Sequence, residues 1–239
     1  MTGDSPRKHD LVFLVDVDNT LLDNDRIRAD MQAHLGERYG AEARDRYWAI
    51  QEQLFVDLGY RDYLGALQRY RDGRPEHIEL LAVASWLVDF PFAERLYPGA
   101  LDVLRHLARF GPTVILTDGD VVFQPRKVQR SGIGAAVEGR VLVYIHKEKS
   151  LPDVERRYPA ERYVLVDDKP GILAAVKRHW GERVFTVLPR QGQFAAAAGA
   201  QAAEPAPDLA VDHIADLLKL DLPALIGGRS TPSPLKASA

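Results

Sequence analysis

The chain has 239 residues, of which 46% are hydrophobic, and its net charge at pH 7 is −3. This length supports one sizeable hydrophobic core with room for a small insertion, and the near-neutral charge gives no reason to expect nucleic acid or an anionic membrane as a partner. The chain contains no cysteine, which excludes disulfides, thiolate metal sites and cysteine nucleophiles.

The N-terminal sequence MTGDSPRKHD has no apolar run of the kind that a signal peptide requires. No apolar stretch of the chain approaches the ~20 residues that a membrane-spanning helix needs. We therefore predict a cytoplasmic protein with no membrane partner. The sequence leaves the oligomeric state open.

The first predicted element is a strand in residues 11–23, LVFLVDVDNTLLD. Five apolar residues bounded by polar ones are typical of a strand that is buried on both faces. The run ends in Asp16 and Asp18, and carboxylates at the end of a buried strand are costly unless their charge is compensated. A metal cation or a phosphate is the usual compensation. The alternative is an Asp-rich turn that merely ends the strand.

Residues 23–96 lack strand-like runs, and their apolar residues recur at helical spacing. The last helix of this zone opens with Pro75, which suits the first position of a helix. The helices are predicted at 26–39, 44–58, 60–70 and 76–88. Because this zone directly follows the two acids, we favour a helical cap that acts as a lid. The alternative is a plain helical insertion that only packs.

Strands and helices then alternate, which predicts an α/β fold with a Rossmann-like parallel sheet and helices on both faces, plus the inserted all-helical cap. The strands are predicted at 113–117, 141–145, 163–166 and 184–188, and the helices at 100–110, 124–131, 151–158, 172–180 and 212–220. Residues 191–207 are predicted as a loop or a weakly structured insert. The domain prediction is a core of 11–22 and 97–226, a cap of 23–96, and flexible tails at 1–10 and 227–239.

Polar residues suited to catalysis or ligand binding also stand at the ends of the next three core strands. Thr117 and Asp118 end the second strand, lysines follow the third, and Asp167 and Asp168 end the fourth. In an open parallel sheet, ligands bind outside the carboxyl ends of the strands. These side chains and the two acids of the first strand are therefore predicted to meet in one crevice.

This ordered set of strand-end motifs resembles the haloacid dehalogenase-like superfamily of aspartate-nucleophile hydrolases, over roughly residues 11 to 190. The resemblance implies that Asp16 is the nucleophile and that Asp18 is the acid/base. It implies further roles for the residues of the other motifs. These are phosphate binding by Thr117 with the neighbouring Asp118 and Gly119, a catalytic lysine at Lys147, and metal binding by Asp168 and Asp167.

Two positions depart from the family pattern. Asn19 stands where many members have glycine. The fourth motif has paired aspartates but no further acid in residues 169–172, where many relatives have a second carboxylate. The resemblance implies Asp16, Asp168 and the backbone carbonyl of Asp18 as metal ligands. Whether Asp167 touches the metal or only holds a water beside it stays open.

The motif lysine has three candidates. Lys147 follows its strand at once and is preferred, with Lys149 and Lys127 as alternatives. The side chains of Lys149, Arg126, Lys127 and Arg130 are otherwise predicted to lie on a solvated helix face or loop.

The resemblance implies a Mg²⁺-dependent phosphatase that hydrolyses a small-molecule phosphate monoester through an aspartyl-phosphate intermediate. The acid at Asp18 favours phosphate over halide chemistry, because a departing halide needs no proton. A phosphomutase, or a catalytically silent protein that binds a phosphate ligand or regulates, remains an alternative. The overall charge gives no signal for nucleic acid as a substrate. The substrate stays unnamed, although Arg61, Tyr63 and Arg69 could face the cleft.

Overall fold

Six parallel strands form one sheet in the computed structural model, which describes residues 8–72, 79–193 and 203–227. Their order across the sheet is β3-β2-β1-β4-β5-β6. The strands are β1 (His9–Val15), β2 (Thr113–Asp118), β3 (Val141–Tyr144), β4 (Ala160–Val166), β5 (Val184–Pro189) and β6 (Leu209–Val211). The predicted α/β fold with a Rossmann-like parallel sheet is confirmed.

Strand β1 occupies the centre of the sheet because both of its faces are apolar. Phe13 and Val15 pack into the core on one face, Val12 and Leu14 pack into the core on the other, and all four are fully buried. Burial of such side chains contributes about 1.5–3 kcal/mol each. The chain crosses from one side of β1 to the other between β3 and β4, so the carboxyl ends of β1 and β4 flank the point where ligands bind in folds of this kind.

Helices cover both faces of the sheet, and four of them form an insertion between β1 and β2. We call α1–α4 the helical insertion. The helices are α1 (Asn24–Tyr39), α2 (Ala41–Leu58), α3 (Tyr63–Tyr70), α4 (Glu79–Asp89), α5 (Ala100–Leu107), α6 (Phe123–Arg130), α7 (Ile133–Ala136), α8 (Leu151–Arg157), α9 (Pro170–Trp180) and α10 (Leu222–Gly227). Short 3-10 helices cover Phe92–Arg95, Lys147–Lys149, Gly181–Arg183 and Ile214–Lys219.

The helical insertion joins the core through two segments that hydrogen-bond to each other. The N–H of Tyr97 donates to Leu21 O, and the N–H of Asp23 donates to Arg95 O. Helix α3 begins later than predicted because the Asp62 carboxylate caps it, accepting from the N–H of Gly65 at 2.7 Å. The predicted helix start at Pro75 lies outside the described residues.

Both ends of the core differ from the prediction. Strand β1 begins at His9, within the predicted N-terminal tail. Residues 209–211 form β6, which the sequence did not predict because a three-residue strand is too short to show a period. The helix predicted over 212–220 is a 3-10 helix at Ile214–Lys219. Residues 194–202 and 228–239, which include most of the predicted loop and C-terminal tail, lie outside the described part of the chain.

Within the described segments, none of the helices combines the length and the apolar character that a membrane span requires.

Candidate active site

The segment after β1 folds into a tight turn that places Asp16 and Asp18. The carbonyl of Val17 accepts hydrogen bonds from three backbone N–H groups, those of residues 20, 21 and 22. Asn19 has φ +58°, a left-handed conformation that favours glycine or asparagine. This explains why asparagine can replace the glycine of the family pattern. The side chain adds a function, because its Oδ1 accepts from the N–H of Asn24 at the start of α1.

Lys147 is fully buried at the centre of the site. Its Nζ lies 2.5 Å from Asp16 Oδ1, 2.6 Å from Asp167 Oδ2 and 3.3 Å from the carbonyl of Leu116. Burial acts to lower the pKa of Lys147, but the carboxylates of Asp16, Asp167 and Asp118 outweigh burial and raise it. The lysine is therefore held as a cation that joins the ends of β1, β2 and β4.

Three buried carboxylates form a group in which one oxygen from each of Asp16, Asp167 and Asp168 lies within 4.8 Å of the others. Burial raises the pKa of Asp16 to about 6, against the opposing charge of Lys147. Burial also raises the pKa of Asp168, to about 9, and the charges of Asp167 and Asp16 add to this rise. The fold therefore places three carboxylates here against two nearby lysines, Lys147 and Lys169.

The oxygens of this carboxylate group are not equally engaged. Asp167 accepts from the backbone N–H of Lys169 at 2.8 Å through Oδ1, and its Oδ2 is paired with Lys147. Asp16 Oδ2 and both carboxylate oxygens of Asp168 make no hydrogen bond within the described residues. The backbone N–H of Asp168 donates to Thr20 Oγ1 at 3.1 Å, which fixes that residue against the β1 turn. The free oxygens therefore belong to Asp16 and Asp168.

The end of β2 supplies the buried hydroxyl of Thr117 and the carboxylate of Asp118. Thr117 Oγ1 accepts from Gln124 Nε2 at 2.8 Å, which leaves the hydroxyl proton free to be donated. The carboxylate of Asp118 accepts from the backbone N–H of Lys147 at 2.7 Å, so Asp118 positions the lysine. The side chain of Asp118, a predicted phosphate-site residue, is thus engaged within the protein.

The N–H of Gly119, predicted to contact phosphate, donates to the carbonyl of Tyr144 at 2.9 Å in this structure. Glycine is nevertheless required at the position. A Cβ there would lie 2.6 Å from Cβ of Gln124, the residue that orients Thr117.

The prediction that the side chain of Lys127 is solvated is wrong. Lys127 is fully buried, and its Nζ donates to Asp18 Oδ1 at 2.7 Å and to Asn24 Oδ1 at 3.1 Å. Asp18 itself keeps 27% of its side chain exposed. The site therefore contains two buried lysines, of which Lys147 contacts the carboxylate at position 16 and Lys127 contacts the carboxylate at position 18. Lys149 is exposed.

Helix α6 connects this site to the helical insertion. Phe123 packs against Tyr63 of α3 with ring centroids 4.7 Å apart. Arg126 Nε donates to the carbonyl of Val88 at 3.0 Å, and Arg130 Nη2 donates to the carbonyl of Asp89 at 2.9 Å. These two arginines, predicted to be solvated, bind the last turn of α4, where cations are favoured by the helix dipole. The same helix thus holds Asp18, Thr117 and the insertion together.

The structure brings together the predicted residues Asp16, Lys147, Asp167 and Asp168. It adds Gln124, which the sequence analysis missed, and Lys127, which the sequence analysis named only as an alternative for the motif lysine. A signal for Lys127 exists in the sequence, because the residue lies four positions after Phe123 and therefore on the buried face of the same helix.

The raised pKa of Asp168 predicts how the stability of the metal-free protein depends on pH. Folding favours the protonated acid, while in the unfolded chain the group loses its proton near its ordinary pKa of ~3.9. Stability is therefore lost as the pH rises from ~4 towards the folded value of about 9. In EDTA, Asp168→Asn should raise the unfolding temperature, and more at pH 8 than at pH 5. Each kcal/mol of change in the free energy of unfolding is expected to shift the unfolding temperature by ~2–4 °C.

Scanning calorimetry at the two pH values checks this prediction. Mg²⁺ should stabilise the wild type most at pH 8 and should stabilise Asp168→Asn less. A variant that is less stable than wild type in EDTA at pH 8 would contradict the argument.

Comparison with known proteins identifies the family of this arrangement. A family model described as haloacid dehalogenase-like hydrolase matches residues 11–178. A crystal structure of a haloacid dehalogenase-like hydrolase from Burkholderia xenovorans is 56% identical, with a TM-score of 0.84, and the match covers 89% of this chain and 97% of that chain. No curated protein matches the chain.

More distant structures share the fold. The HAD-hydrolase YfnB from Bacillus subtilis, bound to magnesium, is 16% identical with a TM-score of 0.58, over 89% of this chain and 98% of that chain. The L-2-haloacid dehalogenase from Xanthobacter autotrophicus is 19% identical with a TM-score of 0.58, over 87% of this chain and 97% of that chain.

Proposed function

Because this chain belongs to the haloacid dehalogenase-like hydrolases, we propose that it is a cytoplasmic, Mg²⁺-dependent phosphatase that hydrolyses a small-molecule phosphate monoester. The observation that carries the proposal is the pair of acids after β1. Asp16 is buried against Lys147 with one oxygen free, and Asp18, two residues on, is partly exposed and ion-paired with a second lysine. This pair supplies a nucleophile and a separate proton donor.

The residues present fit a divalent cation. Asp16 Oδ2 and the two oxygens of Asp168 are buried without a hydrogen-bond partner in the described part of the chain, and hard oxygen ligands suit Mg²⁺. These two side chains would hold the ion together with the backbone carbonyl of Asp18, and Asp167, already engaged by Lys147, would support them from behind. When bound, the ion offsets the repulsion between the nucleophile and the phosphate.

Asp16 is the proposed nucleophile. With a pKa of about 6 it is ionised at neutral pH, and Lys147 at 2.5 Å fixes its orientation through Oδ1. A carboxylate oxygen of Asp16 attacks phosphorus as the bond from phosphorus to the ester oxygen breaks, which gives an aspartyl phosphate and the alcohol. Water then attacks the phosphorus, releases inorganic phosphate and regenerates the carboxylate.

Asp18 is the proposed general acid and base. It gives a proton to the departing ester oxygen and then takes one from the attacking water. Lys127 holds this carboxylate in place, because its Nζ donates to Asp18 Oδ1 at 2.7 Å. Asn24 in turn orients the lysine by accepting from the same Nζ through Oδ1 at 3.1 Å. Since a departing halide needs no proton, an acid held here supports phosphate rather than halide chemistry.

The phosphoryl group would be bound by donors at the end of β2. The Thr117 hydroxyl accepts from Gln124 and therefore has its own proton to give to a phosphate oxygen. Lys147 contributes positive charge where the transition state gains negative charge.

The test is a panel of phosphate monoesters assayed for released inorganic phosphate with Mg²⁺, Mn²⁺ or EDTA, with 2-chloropropionate as a halide control. We expect turnover of at least one ester with Mg²⁺, none in EDTA, and no release of chloride. Release of chloride, or no turnover of any ester with any metal, would overturn the proposal. Isomerised ester without free phosphate would indicate a phosphomutase instead.

A further inference from the structure

The helical insertion contains a group of buried polar side chains that the proposed chemistry does not use. Arg28 and Arg61 each keep only 16% of the side chain exposed. Both pair with one carboxylate, that of Glu52, at 3.4 Å and 3.0 Å from Oε1 respectively. Two guanidinium groups thus share a single acid, which is itself 47% exposed.

Two donors of this group lack acceptors. Arg28 Nε and the hydroxyl of Tyr63 are buried and make no hydrogen bond within the described residues. Tyr63 is 2% exposed. A buried donor without an acceptor is unfavourable, so these two donors indicate that an acceptor-rich ligand belongs here.

This group faces the proposed acid. Burial raises the pKa of the Tyr63 hydroxyl, the carboxylate of Asp18 raises it further, and the guanidinium groups of Arg28 and Arg61 oppose the rise. The Tyr63 ring packs against Phe123 with centroids 4.7 Å apart, and Lys127 Nζ lies 5.3 Å from the same Phe123 ring while it pairs with Asp18 at 2.7 Å. Arg28 follows Asn24 by one turn of α1, and Asn24 contacts Lys127, the partner of Asp18. The donors thus lie next to the residues that hold Asp18, the proposed general acid.

The guanidinium groups are held in fixed positions. The carbon at the centre of Arg61 lies 4.7 Å from the ring centroid of Phe55, and that of Arg28 lies 5.6 Å from the ring centroid of Trp48. Arg61 already directs two N–H groups at an oxyanion, the Glu52 carboxylate, and ordering a guanidinium in advance lowers the entropic cost of binding.

We propose that Arg28 and Arg61, with the hydroxyl of Tyr63, form an anion subsite, and that the substrate is a phosphate monoester whose leaving group carries a second anionic group. The effect of this subsite on turnover rests on the proposed function. Binding of the second anion requires no catalysis, so it can be tested separately.

The experiment is titration calorimetry of the full chain with Mg²⁺ and phosphonates, which lack the ester bond. Phosphonoacetate is compared with phosphonoacetamide, which has the same shape without the second charge. The wild type should bind the acid at least ~10-fold more tightly, as expected for a desolvated arginine and oxyanion pair. Arg28→Gln and Arg61→Gln should reduce this ratio to near one, and Tyr63→Phe should reduce it partly.

Arg69→Gln is the matched control, because Arg69 is an insertion arginine that is 49% exposed. The control should keep the wild-type ratio, and circular dichroism confirms that each variant is folded. Equal binding of the two phosphonates by the wild type, or an equal loss in Arg69→Gln, would overturn the subsite. Methylenebisphosphonate is titrated as a third ligand. If it binds more tightly than phosphonoacetate, the second anion is identified as a phosphoryl group rather than a carboxylate.

The two proposals fail separately. If the wild type hydrolyses no phosphate ester yet prefers phosphonoacetate in a manner that depends on Arg28 and Arg61, the subsite stands and the phosphatase assignment falls. If esters are hydrolysed and the preference for phosphonoacetate is absent, the phosphatase assignment stands and the subsite falls.

Discussion

Asp16→Asn should reduce the turnover of phosphate esters by about 10⁴-fold or more. The amide that replaces the carboxylate is a poor nucleophile, and it also removes one ligand from the proposed cation site. The backbone should be unchanged, because the side chain keeps its shape and Lys147 Nζ can still donate to the amide oxygen in place of Asp16 Oδ1. The measurement is initial rates of ester hydrolysis with Mg²⁺.

Asp10→Asn is the control on the same strand, since Asp10 is exposed and distant from the strand end. It should retain wild-type turnover. Acid quench of the wild type with a ³²P-labelled ester should trap label on the protein, and Asp16→Asn should trap none. Activity of Asp16→Asn within tenfold of wild type would show that another group attacks the phosphorus.

Lys147→Met should have the largest effect on stability. The lysine lies 2.5 Å from Asp16 and 2.6 Å from Asp167, and all three side chains are buried. Its removal leaves these carboxylates without the cation that contacts them directly, and the loss of one partner from a buried ion pair costs about 3–5 kcal/mol. We expect the urea midpoint in EDTA to fall accordingly, and turnover to be lost.

Lys149→Met, at the exposed position two residues on, should change the midpoint little. Mg²⁺ should restore part of the stability of Lys147→Met, because a cation can offset the same carboxylates. A variant as stable as wild type in EDTA would show that these carboxylates are protonated and need no cation.

The strand-end motifs were predictable because each joins a local pattern to a local chemistry. An apolar run ends at Asp16, and others end near Thr117, Lys147 and Asp167. A parallel sheet brings the carboxyl ends of its strands to one edge, so their meeting follows once the alternation of strands and helices is recognised. The separation of Asp16 and Asp168 by most of the chain was therefore no obstacle.

The contacts of Asp118 and Gly119, and the partners of the buried Lys127, could not be predicted in this way. Whether a lysine on a helix is solvated depends on what packs over that helix, and here the insertion and the β1 turn cover Lys127. Asp118 orients Lys147, and the N–H of Gly119 pairs with Tyr144, because of the neighbouring strand β3. Hydrogen-bond partners from distant segments leave no mark in local sequence.

By itself, the sequence determined the layer architecture, the family and the set of acids and lysine that share one crevice, since these depend on hydrophobic period and on residues fixed at strand ends. Only the tertiary structure decided which buried polar atoms are already paired and which are free, because pairing depends on distances between segments far apart in the chain. That distinction leaves free oxygens on Asp16 and Asp168. It also leaves free donors on Arg28 and Tyr63, from which the cation site and the anion subsite are inferred.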